Sequence, residues 1–291
     1  MKAHLVGAWL HGFVATAFVL GLLVGSFLNV VIHRVPRGES IVRPSSRCPA
    51  CKKPIRPWNN IPVVSYLALR GHCRSCGARI PARYPLIEFL TACGFAAVAW
   101  RFGLEPEFFV WLVFVSLLIA AGTIDFDHGI IPDGISLGGL VVGLIALPVV
   151  RLSEGVALGP AVLGSVTGAL LGAGVLWIVG FIHARVCAAF GRDFDHWPGE
   201  GESYPRPGSL DYWIWFPGIG FGDVKLLGMV GAFLGPVGVL ETIIAASVLG
   251  LGVGVALAFR KGARVPFGFG PAIAAGAFLV LFLPEWLLYP A

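Results

Sequence analysis

The stretch Glu107-Phe108-Phe109-Val110-Trp111-Leu112-Val113-Phe114-Val115-Ser116-Leu117-Leu118-Ile119-Ala120-Ala121-Gly122-Thr123-Ile124-Asp125 carries no charge between its two terminal acids. A helix that crosses the hydrocarbon core of a bilayer takes about 20 mostly apolar residues, so 107–124 reads as a membrane span that ends on an aspartate. The same reading extends in both directions. Apolar stretches also run over 8–32, 84–101, 135–150, 159–183, 224–236, 239–259 and 267–289, which makes eight candidate spans. Of these, 224–236 is short and Gly-rich and is expected to tilt or break. With 57% hydrophobic and 13% charged residues, the chain has more apolar surface than one globular core can hide, which excludes a soluble domain. Its 40 Gly and 21 Pro do not indicate disorder, because membrane helices tolerate both residues.

An even number of spans puts both termini on one side. Lys and Arg gather in cytoplasmic loops, and eleven of the 21 lie between His33 and Arg83 against one acid, Glu39. That loop is therefore expected in the cytoplasm. Threading from it leaves Arg260, Lys261 and Arg264 inside and the turns at Glu105, Glu107, Glu154 and Glu241 outside. The net charge of +5 is then a topology signal, and no nucleic-acid partner is expected, since such a site would interleave base-stacking aromatics with the basic residues. The first span has only Lys2 ahead of it and no clear small-residue cleavage site, so it is read as a retained helix. Membrane lipid is the first partner the composition implies.

Within the basic loop, Cys48-Pro49-Ala50-Cys51 and Cys73-Arg74-Ser75-Cys76 form two CxxC pairs with 21 residues between them. Each pair sets two thiolates on a tight knuckle, and two knuckles supply the four-sulfur tetrahedron of structural zinc. Disulfides are the bland alternative, disfavoured by the reducing compartment that charge assigns to the loop. Cys48, Cys51, Cys73 and Cys76 are thus expected to hold a closed, structural Zn2+. Cys93 and Cys187 are read as small buried apolar residues. The expected fold class is an all-α polytopic membrane protein of about eight transmembrane helices with a small cytoplasmic zinc-ribbon-like loop domain. Its divisions are 1–32, a first transmembrane helix; 33–83, the cysteine module; and 84–291, a multi-helix membrane domain with a cytoplasmic loop at 184–222.

Carboxylates at a membrane edge are expensive and mark function by default. Asp133, after Pro132 and ahead of the fourth span, reads first as a helix cap. Asp223, in Gly220-Phe221-Gly222-Asp223-Val224-Lys225, also opens a helix, but capping leaves Gly220 and Gly222 unexplained. Asp125 ends a helix, where the dipole disfavours a negative charge, so capping does not account for it. If the third and sixth spans pack together, the two carboxylates share one proton, and such a pair runs aspartyl proteolysis. One takes a proton from water while the other polarises the scissile carbonyl. Lys225 either tunes this pair or snorkels to the interface.

These residues resemble a known family, the type IV prepilin leader peptidases among the Gly-x-Gly-Asp aspartyl membrane proteases. The likeness covers nearly the whole chain. It rests on Gly25-Ser26-Phe27-Leu28-Asn29-Val30-Val31-Ile32-His33-Arg34, the paired CxxC loop with Pro57-Trp58-Asn59-Asn60-Ile61-Pro62 and Ser65-Tyr66-Leu67, and Arg83-Tyr84-Pro85-Leu86-Ile87-Glu88. The resemblance puts the first catalytic aspartate on Asp125, with Asp127 as its neighbouring rival, and the second on Asp223. Gly220, Gly222 and Lys225 then sit beside the substrate or tune the pair. It implies removal of the basic leader of prepilins or pseudopilins at the cytoplasmic face of a bacterial inner membrane. Members with the full cysteine loop usually also N-methylate the new N-terminus with S-adenosyl-L-methionine, for which no residue here marks a pocket. Glu88 reads first as an interfacial residue or salt-bridge partner and is a weaker candidate for contact with the substrate amine.

Two stretches depart from the family pattern. The loop 184–222 carries Asp193, Asp195, Glu200, Glu202 and Asp211 among Trp197, Tyr204, Tyr212, Trp213, Trp215 and Phe216, which reads first as a solvated insertion with interfacial aromatics and second as an acidic aromatic lid that attracts a basic leader. Pro266-Phe267-Gly268-Phe269-Gly270-Pro271 resembles an expanded form of the family's Pro-Phe-Gly-Pro turn. The alternatives are a zinc-ribbon transporter with both aspartates along an ion path, and a noncatalytic scaffold for pilus or secretion assembly. The sequence leaves the particular pilin and the oligomeric state open.

Overall fold

The computed structural model describes residues 2–190, 208–214, 220–261 and 268–283. Among these residues the regular structure is helical, relieved only by the isolated bridges Arg47 to Pro54 and His72 to Arg79. The helices are α1 (Lys2–Arg34), α2 (Val64–Ala68), α3 (Arg83–Phe102), α4 (Pro106–His128), α5 (Asp133–Ser153), α6 (Leu158–Ala189), α7 (Leu210–Ile214), α8 (Phe221–Lys261) and α9 (Gly270–Leu281). Six of them, α1, α3, α4, α5, α6 and α8, are long and apolar enough to cross a membrane, and α9 is shorter. The sixth and seventh expected spans are the two limbs of α8. They meet at Gly235 (φ 74°, ψ −176°), a conformation that glycine alone adopts readily, and Pro236 starts the second limb. The last span begins at Gly270 rather than 267 and is described to residue 283.

Two helix ends differ from the expectation. Helix α4 continues to His128, which puts Asp125 inside its final turn rather than after it. Gly129 (φ 66°) closes that turn, its N–H donating to the Asp125 carbonyl at 2.8 Å. Helix α6 runs to Ala189, so the first residues of the expected 184–222 loop are helical. Polar His183 and Arg185 did not stop it because α7 covers that end. The Arg185 guanidinium lies 3.7 Å from the Tyr212 ring centroid and donates to the Tyr212 carbonyl, and Trp177 Nε1 donates to the Trp213 carbonyl at 3.0 Å. Phe181 stacks between Trp177 and Trp213. Asp193, Asp195, Glu200, Glu202, Trp197, Tyr204, Trp215, Phe216, Pro266 and Phe267 lie outside the described residues.

The chain forms two compact units, 1–132 and 133–291. Lipid tails are as apolar as a protein core, so close backbone approach at small residues does much of the work of helix association. In the first unit, a Cβ on Gly21 would come within 2.5 Å of Ala92 Cα, and one on Gly25 within 2.6 Å of Glu88 Cα, so α1 and α3 touch backbone to backbone. Phe13 of α1 meets Phe108 of α4 with ring centroids 5.0 Å apart. In the second unit, Gly168 and Gly172 of α6 press on Gly231 and Leu227 of α8. Cβ atoms on those two glycines would fall 2.1 and 2.3 Å from carbonyl oxygens. Gly143 of α5 receives the Phe233 ring, and Gly276 of α9 faces Thr242 and Ala246. Large apolar residues such as Leu170, Ile244 and Leu251 stand exposed on the outer faces, as lipid contact requires. Cys93 is also exposed, on α3, contrary to its reading as a buried residue.

Candidate active site and thiol module

Asp125 sits in the last turn of α4 with 6% of its surface exposed, among the buried Ala121, Gly122 and Ile124. A negative charge there opposes the helix dipole, so the position is not one that helix stability selects. Two residues on, Asp127 forms an ion pair with Arg83, the first residue of α3. The rival for the first catalytic role is therefore engaged by a cation.

Asp223 lies in the first turn of α8, half-buried, its N–H donating to the Gly220 carbonyl at 2.9 Å. A Cβ on Gly220 would stand 3.3 Å from Asp223 Oδ2, so glycine there leaves the carboxylate its space. Gly222 is half-buried, and nothing in the structure explains it further. Lys225 pairs with Asp133 at the start of α5, while its ammonium lies 5.5 Å from the Phe221 ring centroid. Asp133, expected as a cap, is the first residue of α5 and serves as the partner of Lys225. Asp125 belongs to the first unit and Asp223 to the second.

Glu88, 9% exposed, accepts the Val63 N–H at 2.7 Å and a hydrogen bond from Ser26. Val63 precedes α2 with a left-handed φ of 58°, unusual for a β-branched residue. The carboxylate thus ties the cysteine loop to the α1–α3 pair. Asn29 reinforces this corner, its Nδ2 donating to the Tyr84 carbonyl at 3.0 Å.

The four loop thiols converge. Sγ atoms of Cys48, Cys51, Cys73 and Cys76 all lie within 4.8 Å of one another, and none is in a disulfide. Two equivalent knuckles place them. Lys52 N donates to Cys48 O at 2.9 Å as Gly77 N does to Cys73 O at 2.8 Å, and Cys48 N donates to Lys53 O as Cys73 N does to Ala78 O. Lys52 (φ 58°) and Gly77 (φ 72°) turn the chain left-handed after each second cysteine. Tetrahedral zinc with Zn–S near 2.3 Å needs sulfurs about 3.8 Å apart, and Cys48 Sγ to Cys76 Sγ is 3.9 Å. The donor set fits a thiophilic metal ion. Backbone hydrogen bonds from Ser75 and Cys76 lower the Cys73 thiol to about 7. Cys76 is raised to about 11, its hydrogen bond from Ala78 being outweighed by desolvation and by bonding among the thiols. Four sulfurs this close ionise together only around a cation.

Apolar helices, carboxylates at helix ends in each unit and a four-thiol module define a polytopic membrane protein of the peptidase A24 class: residues 19–102 match the bacterial peptidase A24 N-terminal domain and 112–255 the type IV leader peptidase family. The chain belongs to the type IV leader peptidase family, and it is a multi-pass bacterial membrane protein. Relatives named prepilin leader peptidase/N-methyltransferase align along nearly the whole length. That of Neisseria gonorrhoeae is 34% identical, covering 95% of this chain and 96% of its own. That of Pseudomonas aeruginosa is 34% identical over 92% and 90% of the two chains, and that of Bacillus subtilis 35% over 90% and 91%. No solved structure matches.

The sequence had singled out Asp125, Asp223, Gly220, Lys225 and the four cysteines. It missed Arg83, and it missed that Asp133 belongs with Lys225, because partners 44 and 92 residues away leave no local signature.

Proposed function

We propose that the chain is a membrane aspartyl peptidase that removes the basic leader of type IV prepilins or pseudopilins at the cytoplasmic face of the bacterial inner membrane. The observation that carries this reading is Asp125, a carboxylate buried at a helix end where neither the dipole nor solvent favours it. Together with Asp223, which Gly220 leaves uncrowded, it forms the two-carboxylate pair. One aspartate activates water, and the other, protonated, donates to the scissile carbonyl as the tetrahedral centre forms. The Lys and Arg of loop 33–83 support a cytoplasmic position for that loop, and residues 84–291 form the peptidase domain. The loop thiols hold structural zinc, which fixes the fold of a segment with few apolar residues of its own. As the names of its relatives indicate, the chain also N-methylates the new N-terminus, with S-adenosyl-L-methionine as donor.

Mass spectrometry of a prepilin incubated with membranes that contain the chain and S-adenosyl-L-methionine tests both activities. The expected product lacks the leader and carries one added methyl group. An intact prepilin in the presence of folded protein refutes the peptidase reading, and a cleaved, unmethylated product refutes the second activity alone.

A further inference from the structure

Each aspartate of the pair has, two residues further along its helix, a charge of the sign that the helix end disfavours. Asp127 adds a second negative charge to the C-terminal turn of α4, and Lys225 puts a positive one just past the first turn of α8. Helix stability selects against the first and does not favour the second. Each is met by an opposite charge from the start of a neighbouring helix in its own unit: Arg83 of α3 for Asp127, and Asp133 of α5 for Lys225. The first pair is the more enclosed, its side chains 34% and 18% exposed, whereas Asp133 is 63% exposed. Exposed pairs contribute little to stability, so the recurrence of the arrangement calls for a geometric role.

We infer that Arg83–Asp127 and Asp133–Lys225 are matched clamps, positioning residues that hold the end of α4 and the start of α8 so that Asp125 and Asp223 keep their reactive orientation. The inference rests on the two-aspartate reading above. A charge two residues away on a helix points to a different side from the aspartate itself, so each clamp engages a neighbouring helix on a side other than the one that carries the aspartate. Both contacts are single N–H···O pairs rather than bidentate forks, so the other basic residue can replace either cation. Displacing a reacting group by about 1 Å costs on the order of 100-fold in rate, which makes the clamps kinetic devices rather than sources of affinity.

The test measures kcat and KM for leader cleavage in Arg83→Met, Arg83→Lys, Asp127→Asn, Lys225→Met and Lys225→Arg, with Asp125→Ala and Asp223→Ala alongside. The expected result is a roughly 10- to 100-fold lower kcat for the Met and Asn variants, KM within about twofold, and near-normal turnover in Arg83→Lys and Lys225→Arg. An unchanged kcat in both Met variants overturns the proposal, as does a rise in KM alone, or Lys and Arg replacements as slow as Met. Cleavage by Asp125→Ala or Asp223→Ala overturns the two-aspartate reading and the clamps with it. If Arg83→Met fails to accumulate, Arg83→Asp combined with Asp127→Arg carries the test: turnover above either single variant supports the clamp, and no recovery refutes it.

Discussion

Replacing Gly168 by alanine tests how α8 is held. A Cβ there would stand 2.1 Å from Gly231 O and 2.7 Å from both Cα and C of Gly235, all backbone atoms that no rotamer change can move aside. Restoring ordinary contact requires α6 and α8 to part by roughly 1 Å, the kind of overpacking that costs about 1–3 kcal/mol. Gly174, on the same helix, has nothing within 4 Å of its Cβ position, so alanine there should gain up to about 1 kcal/mol from helix propensity. The two substitutions are chemically identical and are predicted to have opposite signs. Unfolding of purified protein in detergent measures both. Asp223 lies about two turns before Gly231 on α8, so Gly168→Ala should also slow leader cleavage by about 10- to 100-fold. If Gly168→Ala is as stable and active as Gly174→Ala, backbone contact between α6 and α8 is not what sets the position of α8.

Gly220→Ala sets a methyl group against Asp223 Oδ2 at 3.3 Å, and should lower cleavage about tenfold while the thermal midpoint moves little, as read from initial rates and melting of the same preparation. Glu88→Leu strands the Val63 N–H, at a cost of about 1–3 kcal/mol, whereas Glu88→Gln keeps an acceptor. Limited proteolysis should therefore cut the 35–82 segment faster in Glu88→Leu than in Glu88→Gln. Metal analysis should find one zinc per chain, lost in Cys48→Ser and on treatment with a strong chelator, with the same segment then open to protease.

The spans could be read from apolar runs because membrane helices are bounded by charge and proline. The two limbs of α8, which meet at Gly235, match the separate apolar runs 224–236 and 239–259. What escaped depended on distant partners. Arg185 looks like loop in sequence, yet α6 continues past it because Tyr212 and Trp213 pack on that turn. Glu88 reads as a membrane-edge acid until Val63, 25 residues earlier, turns up as its donor. The cysteine module was legible since its chemistry repeats at short spacing, whereas the Arg83–Asp127 and Asp133–Lys225 pairs join residues that only the packing of helices brings together.

The most direct test of the two-aspartate account is the rate of prepilin leader cleavage in Asp125→Asn, Asp223→Asn and the double variant, at matched levels of folded protein. Groups that act as one unit are not additive, so each single substitution should abolish cleavage, and the double should be no worse than either. Near-normal cleavage in one single variant, or a double whose loss is the product of two partial losses, would contradict it.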